Sequence, residues 1–296
     1  MKKSIAYFKL MRPANIVTAI ADVLAGVAIS GFAINPGLFV NHTLPIILLS
    51  MSTVGLYGGG VVFNDVFDAE LDKIERPERP IPMGIISEKE GALLGIFLLL
   101  LGMAAAFIVN PISGLIAIAI SVSALVYDKW GKHHAFLGPL NMGLCRGLNL
   151  LLGISILATQ LNLYWQVAFV PVVYIAAITM ISRGEVHGGK SKPLYFAGFL
   201  YILVAASILI ISFYNKNLLL TLIFLLLFAW MIFVPLFTAI QQPVGKNIGK
   251  AVKAGVIALI LLNASWAAAF GFPWLALLIV LLLPLSLYLA KKFAVT

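Results

Sequence analysis

Residues 64–72 read Asn-Asp-Val-Phe-Asp-Ala-Glu-Leu-Asp, an acidic run in a chain that is otherwise strongly hydrophobic. In a helix, Asp65, Asp68 and Asp72 fall at positions i, i+3 and i+7, on one face. Three carboxylates on one face repel each other, so a positive charge must sit among them. A divalent cation that holds a phosphate group is the best candidate, because Mg²⁺ prefers a few carboxylates together with substrate phosphates.

The acidic run leads into a basic, proline-rich segment. Residues 76–84 read Arg-Pro-Glu-Arg-Pro-Ile-Pro-Met-Gly. Arg76 and Arg79 are suited to bind phosphate oxygens bidentately, and the prolines end the helix and stiffen the segment that follows. An ordinary solvated loop is the alternative interpretation. The helical spacing of the aspartates, next to an apolar segment, favours a binding site.

The composition is that of a membrane protein. Hydrophobic residues make up 62% of the 296 residues and charged residues 10%, whereas a soluble domain has about 25% charged residues. The apolar residues form separate continuous runs rather than the alternation of barrel strands, which predicts an all-α fold. The net charge of +9 comes from cations in short loops between these runs. That distribution indicates a bilayer, and no nucleic acid, as partner.

Ten apolar segments can be read as spans, of which 112–127 is short for a span of about 20 residues and must lie in the protein interior or continue into the next loop. The last two are separated by a short Gly-Phe-Pro turn at 271–273, so nine spans with a broken final helix is the alternative. The segments are about 13–34, 43–63, 91–109, 112–127, 138–158, 163–181, 194–213, 217–239, 252–270 and 273–290.

The charged residues predict the orientation. With the N-terminus in the cytoplasm and ten alternating spans, every Lys and Arg except Lys216 and Arg146 falls on the cytoplasmic side, as the positive-inside rule requires. Every acid except Asp22 also falls in a cytoplasmic loop or at its edge. We therefore expect an integral protein of the plasma (inner) membrane, with both termini and the acidic loops in the cytoplasm.

Three polar residues fall within predicted spans. Asp22, Arg146 and Asn149 are costly if they face lipid, so we expect them to face the protein interior. Arg146 has two possible roles, either binding a diphosphate or pairing with Asp22. Asn15, near the cytoplasmic end of the first span, is a candidate contact for an acceptor substrate, and Asn263 is expected to form a hydrogen bond between helices.

The pattern Asn-Asp-x-x-Asp-x-x-x-Asp, followed by Arg-Pro-x-Arg-Pro-Ile-Pro-x-Gly, resembles the first aspartate-rich motif of the UbiA superfamily of intramembrane prenyltransferases. Residues 12–18, Arg-Pro-Ala-Asn-Ile-Val-Thr, resemble the start of that family's first helix. The resemblance implies one UbiA-like domain over residues 1–296, with nine to ten transmembrane helices around a central cavity. It also implies that Asn64, Asp68 and Asp72 are metal-side ligands, with Asp65 in support.

In that family Mg²⁺ binds an isoprenyl diphosphate between two acidic loops, and the second loop is reduced here. Residues 182–190 read Ser-Arg-Gly-Glu-Val-His-Gly-Gly-Lys, with Glu185 as the one acid. We expect Glu185 to be the surviving metal ligand, although a chance Glu in a cytoplasmic loop is the alternative. His187 is a candidate to bind metal, orient the acceptor or act as a base. Arg183 and Lys190 are candidates to stabilise the diphosphate.

The loop at 127–134 reads Tyr-Asp-Lys-Trp-Gly-Lys-His-His. The family often has a Tyr here with a Lys a few residues on, which implies that Lys132 binds diphosphate and that the Tyr127 hydroxyl donates to it. The alternative is an aromatic and basic border at the membrane surface.

The resemblance implies a Mg²⁺-dependent prenyltransferase that ionises an allylic diphosphate and moves the isoprenyl group to an aromatic or other small acceptor. The motif after Asp72 also resembles the branch that makes archaeal-type ether lipids, which makes a glycerol phosphate a possible acceptor. Residues 138–149, read with 182–189, resemble the EboC-like branch. Two alternatives stay open: a non-catalytic protein that binds or helps transport a prenyl-linked or aromatic metabolite, and a secondary transporter. The concentration of charge at one face argues against the transporter.

Overall fold

A computed structural model describes residues 3–32, 43–134, 136–185 and 188–293. Throughout these ranges the regular secondary structure is helical, which confirms the all-α prediction. Short 3₁₀ segments at Gly131–His133, Ser155–Gln160 and Trp165–Ala168 join some of the helices. The helices are α1 Lys3–Leu10, α2 Pro13–Ile29, α3 Thr43–Phe67, α4 Ala69–Glu75, α5 Glu88–Val109, α6 Pro111–Lys129, α7 Leu137–Ile154, α8 Leu161–Tyr164, α9 Phe169–Ser182, α10 Ser191–Tyr214, α11 Leu218–Gln241, α12 Gly245–Ala269, α13 Pro273–Val280 and α14 Leu282–Lys292.

The number of membrane passes follows from helix length. Eight helical segments of the described chain are long and apolar enough to cross a bilayer, and the bent pair α1 and α2, with a 44° angle, makes a ninth. One of the eight, Leu137–Ser182, has 46 residues, about 69 Å of straight helix against a hydrocarbon core of about 30 Å. Leu157 breaks this segment with φ −115° and ψ 91°, and α7 packs against α9. The segment is therefore long enough to cross twice, which would give the described residues ten passes. The length and number of these apolar helices indicate an integral membrane protein.

The last two apolar segments are separate passes. Gly271 adopts a φ of +84° between α12 and α13, a conformation that favours glycine. The side chains of Asn215 and Asn217 donate to the Ala269 carbonyl oxygen at 3.1 and 3.2 Å. These bonds satisfy the end of α12, so the turn closes before α13 begins.

Local capping fixes where α5 and α6 begin. The Ser87 hydroxyl accepts from the backbone N–H of Glu90 at 3.2 Å, while the Glu90 carboxylate accepts from the backbone N–H of Ser87 at 2.9 Å. This reciprocal pair is a capping box. Asn110 accepts from the backbone N–H of Ser113 at 2.8 Å and starts α6. The predicted short span at 112–127 thus extends from Pro111 to Lys129.

Two helices form the centre of the bundle. α2 is almost entirely buried, and 83% of the apolar window of α12 is buried, against 28% for the peripheral α10 and α11. α2 packs against both α7 and α12. Where α2 meets α7, a Cβ on Gly26 or Gly153 would collide with the backbone of the other helix. Small residues at such a crossing let two helix backbones touch.

Candidate active site

A cavity of about 380 Å³ opens among α3, α6, α7, α9 and α12. Its apolar walls come from the interiors of these helices, and its charged residues come from helix ends and the adjoining segments. The cavity contains ten of the residues predicted for the site: Asn15, Asn64, Asp68, Asp72, Arg76, Arg79, Tyr127, Lys132, Arg146 and Glu185. The fold therefore brings the acidic run, the 127–134 loop and the reduced second loop to one place.

The acidic run is not one continuous helix. α3 ends at Phe67 and α4 begins at Ala69, with Asp68 at φ −90° and ψ 3° between them. The backbone N–H groups of Asp68 and Asp72 still donate four residues back, at 3.0 and 2.7 Å. The chain therefore turns almost as a helix would, and both carboxylates reach the cavity as the spacing predicted.

The protein's own cations neutralise these carboxylates. Arg79 Nη1 lies 3.1 Å from Asp65 Oδ1 and 2.6 Å from Asp72 Oδ2. Lys132 pairs with Asp68. Across the part of the chain that the structure describes, no three Asp, Glu, His or Cys side chains are grouped so that they could hold a metal ion by themselves. A cation that enters the cavity must therefore exchange with these pairs.

Burial raises the pKa of two acids at this site, Asp72 and Glu185. Burial raises the pKa of Asp72, Arg79 opposes the rise, and the charges of Asp65 and Asp68 add to it. Burial also raises the pKa of Glu185, against the charge of Arg76. Loss of hydration penalises a charged carboxylate, so an added cation would stabilise the ionised form of both acids.

Sequence reasoning missed Arg12. This residue has φ 46° and ψ 67° at the bend between α1 and α2, a left-handed conformation that is uncommon for a non-glycine residue. Its guanidinium lines the cavity and its Nη2 lies 2.9 Å from Asp65 Oδ1. Its place directly before Pro13 was the available signal, because the residue before a proline is kept out of the α region.

Asp128 was also missed as a site residue. It is buried at the end of α6 and lines the cavity. Its Oδ1 accepts from Asn64 Nδ2 at 3.1 Å. The available signal was an acid next to Tyr127 at the predicted cytoplasmic end of a span.

Arg146 pairs with Asp22, one of the two roles left open for it. Its Nη1 lies 2.7 Å from Asp22 Oδ2, and its Nη2 donates to the Thr18 hydroxyl at 2.7 Å. Asn149 Nδ2 donates to Asp22 Oδ2 at 3.0 Å, and Asn263 Nδ2 donates to Asp22 Oδ1 at 2.7 Å. The expected interhelical bond of Asn263 is thereby confirmed. Diphosphate binding by Arg146 stays a prediction. The charge of its guanidinium is already balanced by Asp22.

Three predicted residues that the structure describes lie outside the cavity lining. Asp65 is buried behind it, between Arg12 and Arg79. Arg183 Nη2 donates to the His134 carbonyl oxygen at 3.1 Å. Lys190 precedes the first turn of α10. His187 falls outside the residues that the structure describes.

The model of the UbiA prenyltransferase family matches residues 23–252. The chain belongs to this family. It is 35% identical over 155 residues to a digeranylgeranylglyceryl phosphate synthase of Methanococcoides burtonii, across 50% of this chain and 53% of the relative. The chain thus spans about half the length of the first curated relatives it matches.

Solved structures show the same fold. A UbiA homologue from Aeropyrum pernix K1 superposes with a TM-score of 0.69 at 16% identity, over 84% of this chain and 96% of the other. A UbiA homologue from Archaeoglobus fulgidus, bound to GPP and Mg²⁺, gives a TM-score of 0.53 at 16% identity, over 91% and 99%.

Proposed function

We propose that this UbiA family member is a Mg²⁺-dependent intramembrane prenyltransferase that moves an isoprenyl group from an allylic diphosphate to a small acceptor. The observation that carries the proposal is the cavity itself. Oxygen ligands and basic side chains from three separate parts of the chain line one space that also has apolar walls. Such a space matches a substrate with a charged head and a hydrophobic tail.

The donor set suits Mg²⁺. Asn64, Asp68, Asp72 and Glu185 present amide and carboxylate oxygens to one cavity, and hard cations take oxygen ligands. One carboxylate oxygen of Asp128 in the same lining is buried without a hydrogen-bond partner among the described residues. The solved homologue from A. fulgidus, bound to GPP and Mg²⁺, supports the same ligand class. When bound, Mg²⁺ would neutralise the negative charge that develops on the leaving diphosphate.

The chain's own residues have distinct tasks in this proposal. Arg76 and Lys132 bind the diphosphate oxygens and stabilise their charge as the allylic carbon–oxygen bond breaks. The Tyr127 hydroxyl donates to the same group. Apolar residues such as Ile175 and Val256, which line the cavity, exclude water that would capture the carbocation.

The acceptor to test first is a glycerol phosphate lipid with a free hydroxyl. The relative from M. burtonii is named a digeranylgeranylglyceryl phosphate synthase, and the motif after Asp72 resembles the ether-lipid branch. An aromatic acceptor is the second candidate. In both reactions the acceptor's nucleophile bonds to the allylic carbon, the carbon–oxygen bond to diphosphate breaks, and the acceptor releases a proton.

The test uses the full chain purified into nanodiscs. Allylic diphosphates from dimethylallyl to geranylgeranyl are supplied with Mg²⁺ or with EDTA, and with geranylgeranylglyceryl phosphate or 4-hydroxybenzoate. Diphosphate release and product mass are measured. We expect Mg²⁺-dependent release together with a prenylated acceptor. Tight Mg²⁺-dependent binding with no release for any pair would favour the non-catalytic binding protein, which the single acid in the second loop supports.

A further inference from the structure

Asp128 lies in the last turn of α6 and is not one of the proposed metal ligands. Its side chain is buried and lines the cavity. It is near Lys132, Asp68 and Arg12, whose charges all act on it. A buried acid that lines the cavity beside a proposed metal ligand requires an explanation.

One oxygen of Asp128 fixes the orientation of Asn64. Asn64 Nδ2 donates to Asp128 Oδ1 at 3.1 Å. The amide NH₂ group is the donor of this bond and the carboxylate oxygen is its acceptor, so the NH₂ end of the amide faces Asp128. The carbonyl oxygen of Asn64 is then turned away from Asp128. This is the amide orientation that a cation ligand requires.

The other oxygen of Asp128 lacks a donor. Oδ2 is buried and makes no hydrogen bond within the described residues. The nearby ammonium group of Lys132 is engaged with Asp68. A buried acceptor without a donor is costly, so a donor from the contents of the cavity would be bound favourably.

The position of Asp128 also bears on the reduced second loop. That loop contributes one carboxylate, from Glu185, which lines the same cavity as Asp128. Residues that orient metal ligands and hydrogen-bond the metal's waters are part of a metal site. Asp128 adds such a carboxylate from α6, an element that is separate from both acidic loops.

We propose that Asp128 is a positioning residue of the cation–diphosphate site. Its Oδ1 holds the Asn64 amide with the carbonyl oxygen toward the cation, and its Oδ2 accepts a hydrogen bond from a water molecule of the cation's hydration shell. The proposal rests on the proposed function, because it presupposes that a hydrated Mg²⁺ and a diphosphate share this cavity.

Binding, rather than turnover, tests the proposal. The probe is geranyl S-thiolodiphosphate, an analogue that resists ionisation, titrated by calorimetry into the full chain in nanodiscs at stepped Mg²⁺ concentrations. Asp128→Asn keeps an acceptor for Asn64 and replaces Oδ2 with an NH₂ group. Asp128→Ala removes both acceptors. We expect the half-saturating Mg²⁺ concentration to rise about 10-fold in Asp128→Asn and up to about 100-fold in Asp128→Ala.

The matched control is Glu70→Gln, which removes the charge of a largely exposed acid on α4 whose side chain is 80% exposed. It should titrate like the wild type. The unfolding temperature of Asp128→Asn should also match the wild type, because the two side chains have the same shape. A double variant, Asn64→Ala with Asp128→Asn, should need more Mg²⁺ than Asn64→Ala alone, because Oδ2 acts independently of Asn64.

Wild-type Mg²⁺ dependence in both Asp128 variants would overturn this inference and leave the proposed function standing, provided that Asp68→Ala still loses binding. A wild-type chain that binds the analogue equally with Mg²⁺ and with EDTA would overturn both. The two failures are therefore distinguishable in one series of titrations.

Discussion

Two clusters of acids and basic residues use similar side chains in different settings. The mouth cluster consists of Asp65, Asp68, Asp72, Arg79 and Lys132. In it one guanidinium nitrogen is shared between two acids, and the side chains of Lys132 and Asp68 keep 13% and 17% exposure. Asp68, Asp72, Arg79 and Lys132 line the cavity, and Asp65 lies outside its lining.

The Asp22 cluster consists of Asp22, Thr18, Arg146, Asn149 and Asn263. Both oxygens of Asp22 accept hydrogen bonds, and the side chains of Arg146 and Asp22 keep 6% and 2% exposure. The bonds link α2, α7 and α12. The comparison shows two ways of pairing an acid. Both oxygens of Asp22 have donors from α7 and α12, so the Asp22 cluster stabilises the bundle. The acids of the mouth cluster share Arg79, and we expect a ligand to compete for this charge.

The substitution with the largest expected effect is at Asp68, in the mouth cluster. We expect Asp68→Ala to lower the rate of diphosphate release by at least about 10²–10³-fold, the scale of losing one preorganised electrostatic group. The unfolding temperature should change little, because Asp68 is partly exposed. Glu70→Ala is the control, because Glu70 lies between Asp68 and Asp72 in the sequence but faces solvent. A normal rate in Asp68→Ala would contradict the assignment of the mouth cluster to catalysis.

The second prediction concerns Asp22. Asp22→Ala leaves Arg146 buried without its partner, so we expect a loss of about 3–5 kcal/mol in the free energy of unfolding. Denaturation in mixed micelles measures it. Adding Arg146→Met should recover part of the loss, because the unpaired charge is then gone. If Asp22→Ala kept full stability and lost diphosphate binding instead, the division between the clusters would be wrong.

The third prediction concerns how Mg²⁺-dependent diphosphate binding weakens as the pH falls, which is the acid limb of its pH profile. A cation needs ionised Asp72, and burial raises the pKa of this carboxyl. Protonation therefore competes with the cation as pH falls, beginning at a higher pH than for an ordinary Asp. Arg79 lowers this pKa, so Arg79→Gln should move the acid limb to higher pH. Titrations of analogue binding from acid to neutral pH measure it, and a shift to lower pH would contradict the role of Arg79.

The smallest expected effect is at the reduced second loop. Glu185→Gln should lower diphosphate release several-fold, much less than Asp68→Ala, because most of the carboxylates at the cavity come from elsewhere. Glu185 also has a raised pKa from burial, so the isosteric amide removes a charge that is costly to keep. A loss as large as that of Asp68→Ala would show that Glu185 is an essential ligand.

The membrane passes and much of the cavity lining were predictable from the sequence. The apolar runs and the charge bias predicted the passes, the helical spacing predicted that the aspartates share a face, and the resemblance to the UbiA family implied the roles of Asn64 and Lys132. The sequence left two roles open for Arg146, since its partner Asp22 is 124 residues away. It missed the Asn64–Asp128 bond for the same reason, with 64 residues between the partners. Pro13 marks the break between α1 and α2, but the pairing of Arg12 with Asp65, 53 residues away, is not encoded in local patterns.

The Asp22 cluster has a consequence for how the protein is made. A ribosome delivers α2 to the membrane early, with an acid in a span that is otherwise uncharged. Its partner Arg146 is synthesised 124 residues later and Asn263 a further stretch on, 241 residues after Asp22. A charged side chain within a bilayer is costly. The first span must therefore stay sheltered from lipid until the fifth arrives, and the centre of the bundle can close after α12 is inserted.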